Sequence, residues 1–586
     1  MTLTSGSSDR TFRRGRWRLN RHVHLSLVAV FIGILGGYGA ILFRLAIKEA
    51  QYLFYQNTND ILTFADSLPV YLTIGLPALG GLIVGPLIYF GAREAKGHGV
   101  PEVMEAVAVR GGRIRPRVAL IKILASGITI GSGGSVGREG PIVQIGSSIG
   151  STVAQILKAP VLRRRTLVGC GAAAGIAATF NAPIAGALFA VEVILGDFGL
   201  ATFSPVVLSS VTATTISRHY FGDFPAFVIP TYQLVSLWEF CFYPILGIAA
   251  GFVALLFITT LYKGEDLFAA FPIPEYLKPG VGGLLLGLLL LQWPQVFGVG
   301  YGAINLSLTN EMPALLLLSL VFIKILATST TIGSGGSGGI FAPSLFIGAM
   351  LGGFFGSSVH TLFPQITANP GAYALVAMGA LVAGTTHAPI TAIIIIFELT
   401  ATYKIILPLM IACIISTLIT TSLKEGSIYT IKLARRGVEI FQGWEQRILQ
   451  DLKIRDIMDS DLATITEGTK LADIIYNLKT RDVSYLHVVN EEGALTGIIS
   501  FRDLRPALRE EGLEDLVVAR DLETRNPETI TPSDSLMTAL EKMSRKGVAQ
   551  LPVVAEDDST KILGAVNQKD AVTAYNKAVL QRKEEG

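Results

Sequence analysis

Glu139 stands where a charge is costly. It follows Arg138 inside GSGGSVGREGP (131–141), a stretch with five glycines between segments apolar enough to sit in a membrane. An ionisable side chain at such depth is a functional candidate by default. If a helix begins at this break, its first backbone N–H groups are unpaired and carry about half a positive charge, which attracts an anion without a formal cation. Glycine lets the backbone approach the ion closely. A carboxylate there is itself an anion: it can fill the site, or leave it when protonated or displaced. Two plainer readings compete, a helix N-terminal carboxylate satisfied locally and a nucleotide loop. The second lacks the lysine and Ser/Thr of a phosphate-binding loop. Lys122 and Lys324, the other charges at depth, both precede a glycine loop at one repeat position, which favours a shared structural pairing with carbonyls or a carboxylate.

The elements that must position these residues occur twice. IKILASGITIGSGGSVGREGPIVQIG (121–146) returns as IKILATSTTIGSGGSGGIFAPSLFIG (323–348), an offset of 202 residues. FNAPIAGALFAVE (180–192) returns as THAPITAIIIIFE (386–398), and in both the glutamate, Glu192 or Glu398, lies nine residues after the proline. Repeated halves with interrupted helices are a transporter pattern, with the binding site at the repeat interface near the midplane.

Composition agrees. The 586 residues are 50% hydrophobic and 16% charged, with mean hydropathy +0.52, whereas about 25% of residues are charged in an average soluble chain. Apolar segments at 23–47, 70–91, 203–217, 237–262, 279–293, 313–330 and 404–422 read as membrane helices. Others (101–109, 167–178, 182–195) fall short of the ~20 residues needed to cross, as broken helices do. Six arginines between Arg10 and Arg21 flank the first segment, and the positive-inside rule places them in the cytoplasm. No signal-peptide pattern precedes it. The net charge of +3 gives no footprint for nucleic acid. Cys170, Cys241 and Cys413 lie in apolar segments without CxxC spacing, which predicts three buried free thiols and neither a metal site nor a disulfide framework.

After about residue 436 the sequence turns polar and repeats on its own period. HVVNEEGALTGIISFRDL (487–504) predicts strand, turn, strand and helix; VVAEDDSTKILGAVNQKDAV (553–572) repeats it, with Asp503 and Asp570 separated by 67 residues.

GHGVPE (97–102), GREGP (137–141), GGIFAP (338–343) and SIY (427–429) together resemble the anion-site signatures of the CLC family of chloride channels and proton-coupled chloride transporters. The tail resembles a pair of CBS domains. The resemblance implies an all-α multi-pass membrane domain with inverted repeats and broken helices, plus an α/β cytoplasmic CBS pair. It implies that backbone N–H groups of Arg138, Glu139 and Gly140 form the outer part of an anion site, and those of Ile340 and Phe341 the central part. Tyr429 would add a hydroxyl donor, and Glu139 would be the gate. Many members carry serine where His98 stands; a neutral imidazole can still donate one hydrogen bond, whereas a solvent-facing or backbone-bonded ring would not. The exchangers commonly carry a proton-relay glutamate where this chain has Val193, which implies a passive channel, with a proton-coupled exchanger as the alternative. Glu192 reads as structural because Glu398 recurs at its place.

In the CBS pair, Asp503 and Asp570 would hold ribose hydroxyls of ATP, ADP or AMP, with backbone near Ile465 and Ile530 around the adenine; the alternative is a purely structural dimerisation module. Nothing suggests hydrolysis, and chloride is the only ligand required. The expected organisation is a basic N-terminus (1–22), a transport domain (23–435), a linker (436–452), CBS units at 453–510 and 511–577, and a tail (578–586). The protein is expected to be a homodimer with one pore per subunit in the cell's inner membrane, both termini cytoplasmic.

Overall fold

The backbone repeats what the sequence repeats. The structure, a computed structural model, describes residues 8–58, 61–223, 227, 235–400, 402–438, 449–481, 483–509 and 512–584, so most of the expected linker lies outside the described residues. It divides into two compact units, Met1–Ile440 and Phe441–Gly586. In the first, α1 (Ser8–Tyr55), α2 (Val70–Pro86), α3 (Val100–Ala108), α4 (Arg117–Gly131), α5 (Glu139–Ile156), α6 (Val161–Phe180), α7 (Pro183–Phe189) and α8 (Leu200–Phe221) form one series. A second series follows in the same order: α9 (Phe242–Ala270), α10 (Lys278–Leu290), α11 (Tyr301–Leu308), α12 (Ala314–Gly333), α13 (Phe341–Leu362), α14 (Pro370–Thr386), α15 (Pro389–Thr400) and α16 (Ile406–Leu423). The short α17 (Thr430–Ala434) ends the unit.

The correspondence holds at single residues. Gly133 and Gly335 turn their loops at φ of +111° and +105°, a conformation that side chains resist. Asn181 and His387 end α6 and α14 in the left-handed region, at 61° and 55°, although their residue types differ. Where α5 crosses α6, a Cβ on Gly146 would lie 2.1 Å from the Gly171 carbonyl oxygen; where α13 crosses α14, one on Gly352 would lie 2.3 Å from that of Tyr373. Small residues let the backbones touch, which is how helices associate when lipid removes the hydrophobic drive.

Polar ties also come in pairs. Lys122 Nζ donates to the carbonyls of Ala95 (3.0 Å) and Gly97 (2.8 Å), and Lys324 Nζ to those of Val296 (3.1 Å) and Gly298 (3.0 Å). Both lysines therefore pair with carbonyls, as expected. Glu192 accepts from the backbone N–H groups of Ile390 (3.2 Å) and Thr391 (2.7 Å) at the start of α15. Glu398, within α15, accepts from those of Ile184 (2.9 Å) and Ala185 (2.7 Å) at the start of α7. Each half caps a helix of the other.

Three expectations need correction. The first membrane segment begins at Val23 as expected but extends past 47 to Tyr55, within a helix that starts at Ser8. The segment 279–293 yields only the 13-residue α10, while Phe341–Leu362, overlooked because glycines dilute its hydropathy, is long and apolar enough to cross. In all, seven helices among the described residues meet that criterion. Cys241 is exposed, at the end of the short turn Leu237–Cys241, whereas Cys170 and Cys413 are buried.

In the second unit, β1 (Thr464–Thr466), β2 (Tyr485–Val489), β3 (Leu495–Ser500) and β4 (Thr524–Arg525) form one sheet in that order, β1 parallel to β2 and the other pairs antiparallel. β5 (Gln550–Val554) and β6 (Ile562–Asn567) form a second, antiparallel pair. Each has a small apolar core, one around Ile474, Leu486 and Val488, the other around Ile530, Leu551 and Val566. The strand–turn–strand–helix pattern read from both tail segments is present. His487 sits in the centre of β2, 2% exposed, with neither ring nitrogen hydrogen-bonded.

Two predictions follow from this packing. Replacing Glu192 by Ala leaves two backbone N–H groups without partners and should cost about 1–3 kcal/mol. A lowered thermal midpoint in detergent checks this, and Glu398→Ala should behave alike. Burial pushes the His487 imidazole down to about 4 from 6.5. The folded tail thus holds it neutral while the unfolded chain binds a proton, so stability falls as pH drops from 6.5 toward 4, by at most about 1.4 kcal/mol per unit. The protection factors of amides 485–489 in the full chain, which divide out the slower intrinsic exchange at lower pH, should fall between pH 7 and 5, and His487→Val should remove that part of the response.

Candidate anion site

Two helix N-termini meet at a pair of glycines. The loop before α5 and the loop before α13 join through reciprocal backbone hydrogen bonds, Gly137 N–H to Gly339 O at 2.7 Å and Gly339 N–H to Gly137 O at 2.6 Å. A third loop is laced in by Gly97 N–H to Gly336 O (3.1 Å) and Gly338 N–H to Gly97 O (3.3 Å). Only glycine fits at this crossing: a Cβ on Gly140 would lie 2.2 Å from the His98 carbonyl oxygen and 3.0 Å from Gly339 Cα. The predicted Arg138, Glu139, Gly140, Ile340 and Phe341 are thereby brought together. Ile340 and Phe341 are buried, as are Glu139 and Gly140, and Arg138 is partly exposed. Both helices turn their unpaired N–H ends toward this place, so positive potential gathers there without a formal charge.

The Glu139 carboxylate occupies that potential. Its Oε1 accepts from the Tyr301 hydroxyl at 3.1 Å. Oε2 is buried without a partner of regular hydrogen-bond geometry, and fills the space over Gly137, where a Cβ would lie 2.1 Å from it and 3.2 Å from the Ala342 nitrogen. The carboxylate thus leans toward the start of α13, in the other half. The Arg138 guanidinium lies over the Tyr301 ring, 5.2 Å from its centroid. No motif pointed to Tyr301. The repeat could have: GVGYGA (298–303) is the second-half copy of GHGVPE (97–102), so Tyr301 opens α11 where Val100 opens α3.

His98 is fully buried, with neither ring nitrogen hydrogen-bonded, and its ring centre is 5.8 Å from that of buried Tyr429. It faces neither solvent nor a backbone partner. The SIY loop is held by Ile428 N–H to Thr385 O (2.9 Å) and by the Tyr262 hydroxyl to Ile428 O (2.5 Å). The Phe341 ring packs beside Phe180 (5.6 Å) and Phe189 (6.5 Å). Val193 is buried in the turn after α7.

In the tail, Asp503 Oδ2 accepts from the Ser500 N–H (2.8 Å) and hydroxyl (2.6 Å), capping the helix that follows β3. After β6 the roles differ: the Asn567 side-chain oxygen accepts from the Asp570 N–H (2.9 Å) and its amide donates to Asp570 Oδ2, so Asn567, which replaces the hydroxyl residue, is the capping side chain. Ile465 pairs with Val488 across β1 and β2. Ile530 spends both backbone groups on β5, its N–H on Pro552 O (3.0 Å) and its carbonyl on Val554 N–H (2.9 Å).

Residues 80–421 match the family described as voltage gated chloride channel, and residues 454–510 and 519–577 each match the CBS domain. A ClcB-like chloride channel protein of Ralstonia nicotianae is 37% identical over 412 residues, 70% of this chain and 96% of that one. The voltage-gated ClC-type chloride channel ClcB of Escherichia coli is 33% identical over 414 residues, 69% of this chain and 98% of its own. The crystal structure of a slow cyanobacterial Cl⁻/H⁺ antiporter superposes with a TM-score of 0.65 at 27% identity, covering 70% of this chain and 97% of that one. With a matched span of more than half its length, paired helix ends within that span and a CBS pair following it in sequence, this chain is an integral membrane protein and a member of the CLC family of chloride channels and transporters.

Proposed function

We propose that the chain conducts chloride passively through a path gated by Glu139. One observation carries this reading: the Gly137–Gly339 pair sets two helix ends against a single carboxylate that could leave. Dipoles of backbone N–H groups at 138–140 and 340–341 attract a halide yet let it go, which conduction needs. The carboxylate of Glu139, as it lies, stands in for that halide and closes the path. Protonation or displacement by chloride opens it. His98 and Tyr429 serve the central ion, the imidazole donating one ring N–H and the phenol its hydroxyl. Tyr301 holds the closed carboxylate.

Val193 supports channel behaviour, since valine carries no proton. The second reading, proton-coupled exchange, is favoured by the likeness to a Cl⁻/H⁺ antiporter. The protein would act as a homodimer in the cell's inner membrane with both termini cytoplasmic. Its CBS units, taken as 453–510 and 511–577, would regulate the path through ATP, ADP or AMP at Asp503 and Asp570, each of which makes its local side-chain bonds through one carboxylate oxygen.

Under combined chloride and pH gradients across a bilayer, the reversal potential should sit at the chloride equilibrium value; a shift with the proton gradient would establish exchange instead. Glu139→Gln should raise chloride flux and abolish its pH dependence, and an unchanged flux and pH profile would count against the gate. Tyr301→Phe removes a hydrogen bond worth about 1 kcal/mol and should favour the open path about fivefold. In a Glu139→Ala background the same substitution should do nothing, which separates a latch from a packing defect.

A further inference from the structure

Cations gather at the end of α5 that lies away from Glu139. Arg113 stands in the loop between α3 and α4, Arg117 opens α4, and Lys158 and Arg163 flank the corner between α5 and α6. Arg163 is half-buried and the other three are exposed. The loop is laced to α5 through its backbone: the Ser151 hydroxyl donates to Gly112 O (2.7 Å) and accepts from the Ile114 N–H (2.8 Å), and Gln155 Nε2 donates to Ile114 O (3.0 Å). Buried Arg164 fixes the corner by donating to Ala159 O at 3.0 Å.

These four side chains have no ion-pair partner among the described residues. The two acids that reach the loop are held by other arginines, Glu105 by Arg110 and Arg436, and Glu94 by Arg115. From 106 to 191 the sequence offers no acid except Glu139.

Packing also sets the depth of this corner. A Cβ on Gly36 would lie 2.7 Å from that of Ala174, and one on Gly33 would lie 2.5 Å from the Ser209 carbonyl oxygen. The Ser209 hydroxyl in turn donates to Cys170 O at 3.0 Å. So α1 and α6 run side by side in one direction, and Val161 lies level with the place where the apolar span of α1 begins, at Val23. Aliphatic side chains surround the cations there: Ile156 is 74% exposed, and Leu157 and Leu162 are exposed too.

We propose that this corner binds the phosphate headgroup of an anionic phospholipid, in the leaflet that meets the basic flank of α1. Guanidinium forks pair with phosphate oxygens, while the aliphatic neighbours lie against the first carbons of the acyl chains. An acidic peptide would match the charge but leave those aliphatic groups in water. Juxtamembrane cations recognise anionic headgroups in this way. The lipid would grip the far end of the helix that begins at Glu139.

The test uses the full chain and defined lipids. Titrated into detergent-solubilised wild type, phosphatidylglycerol should raise the thermal midpoint, whereas phosphatidylcholine and inorganic phosphate should not. A photoactivatable phosphatidylglycerol should label peptides covering 110–117 and 156–165. Arg113→Gln combined with Arg163→Gln should raise the half-saturating phosphatidylglycerol about thirtyfold, and lysine at both positions should restore most of the affinity. Equal stabilisation by phosphatidylcholine, or labelling that misses both segments, would overturn the site. Stabilisation by inorganic phosphate to the same extent would overturn the lipid assignment. Both wild-type readouts stand even if a variant fails to fold, and neither depends on chloride flux.

Discussion

The two hydrogen bonds between Gly137 and Gly339 are the constraint on which the transport unit turns. They hold the N-termini of α5 and α13 at one place, and two positive helix ends in a low-dielectric interior repel unless something negative lies between them. The structure meets that need with the Glu139 carboxylate. Everything around it keeps the geometry narrow: glycine at 140 where the His98 carbonyl presses in, and small residues where α5 crosses α6 and α13 crosses α14.

Pseudo-symmetry supplies the anchorage, and its failures supply the chemistry. Lys122 and Lys324 bind equivalent carbonyls, and Glu192 and Glu398 cap helices of opposite halves. Those ties are needed twice because both halves contain the same unsatisfied groups. At the site the halves differ. Glu139 corresponds to Phe341, His98 to Val299 and Tyr301 to Val100, so the acid, the imidazole and the phenol each occur once. A strictly symmetric site would carry two acids or none. Phe341 on one side leaves a single carboxylate, Glu139, against two helix ends, which is the asymmetry that the proposed gate requires.

The tail follows another logic. Its strands bury two small cores, and its acidic residues are first engaged locally: Asp503 caps its helix through Ser500, and Asp570 accepts from the side-chain amide of Asn567. In each case these bonds engage one carboxylate oxygen, Oδ2. His487 is the exception in these cores, a polar ring where neighbouring positions are aliphatic.

Much of this was readable in one dimension because it depends on local pattern. Period and order revealed the two halves, glycine spacing marked the loops, and Glu139 drew notice because a carboxylate between apolar segments is expensive. The tail strands were equally plain from their turns. Hydropathy misjudged what packing decides: α10 is too short to cross, α13 is long enough despite its glycines, and Cys241 faces outward. Tyr301 was invisible as a functional candidate. It meets a carboxylate 162 positions away. Sequence alone determined that a helix end would need an anion; only the tertiary structure decided which groups share it, since partnership depends on distance and on what competing charges have already claimed.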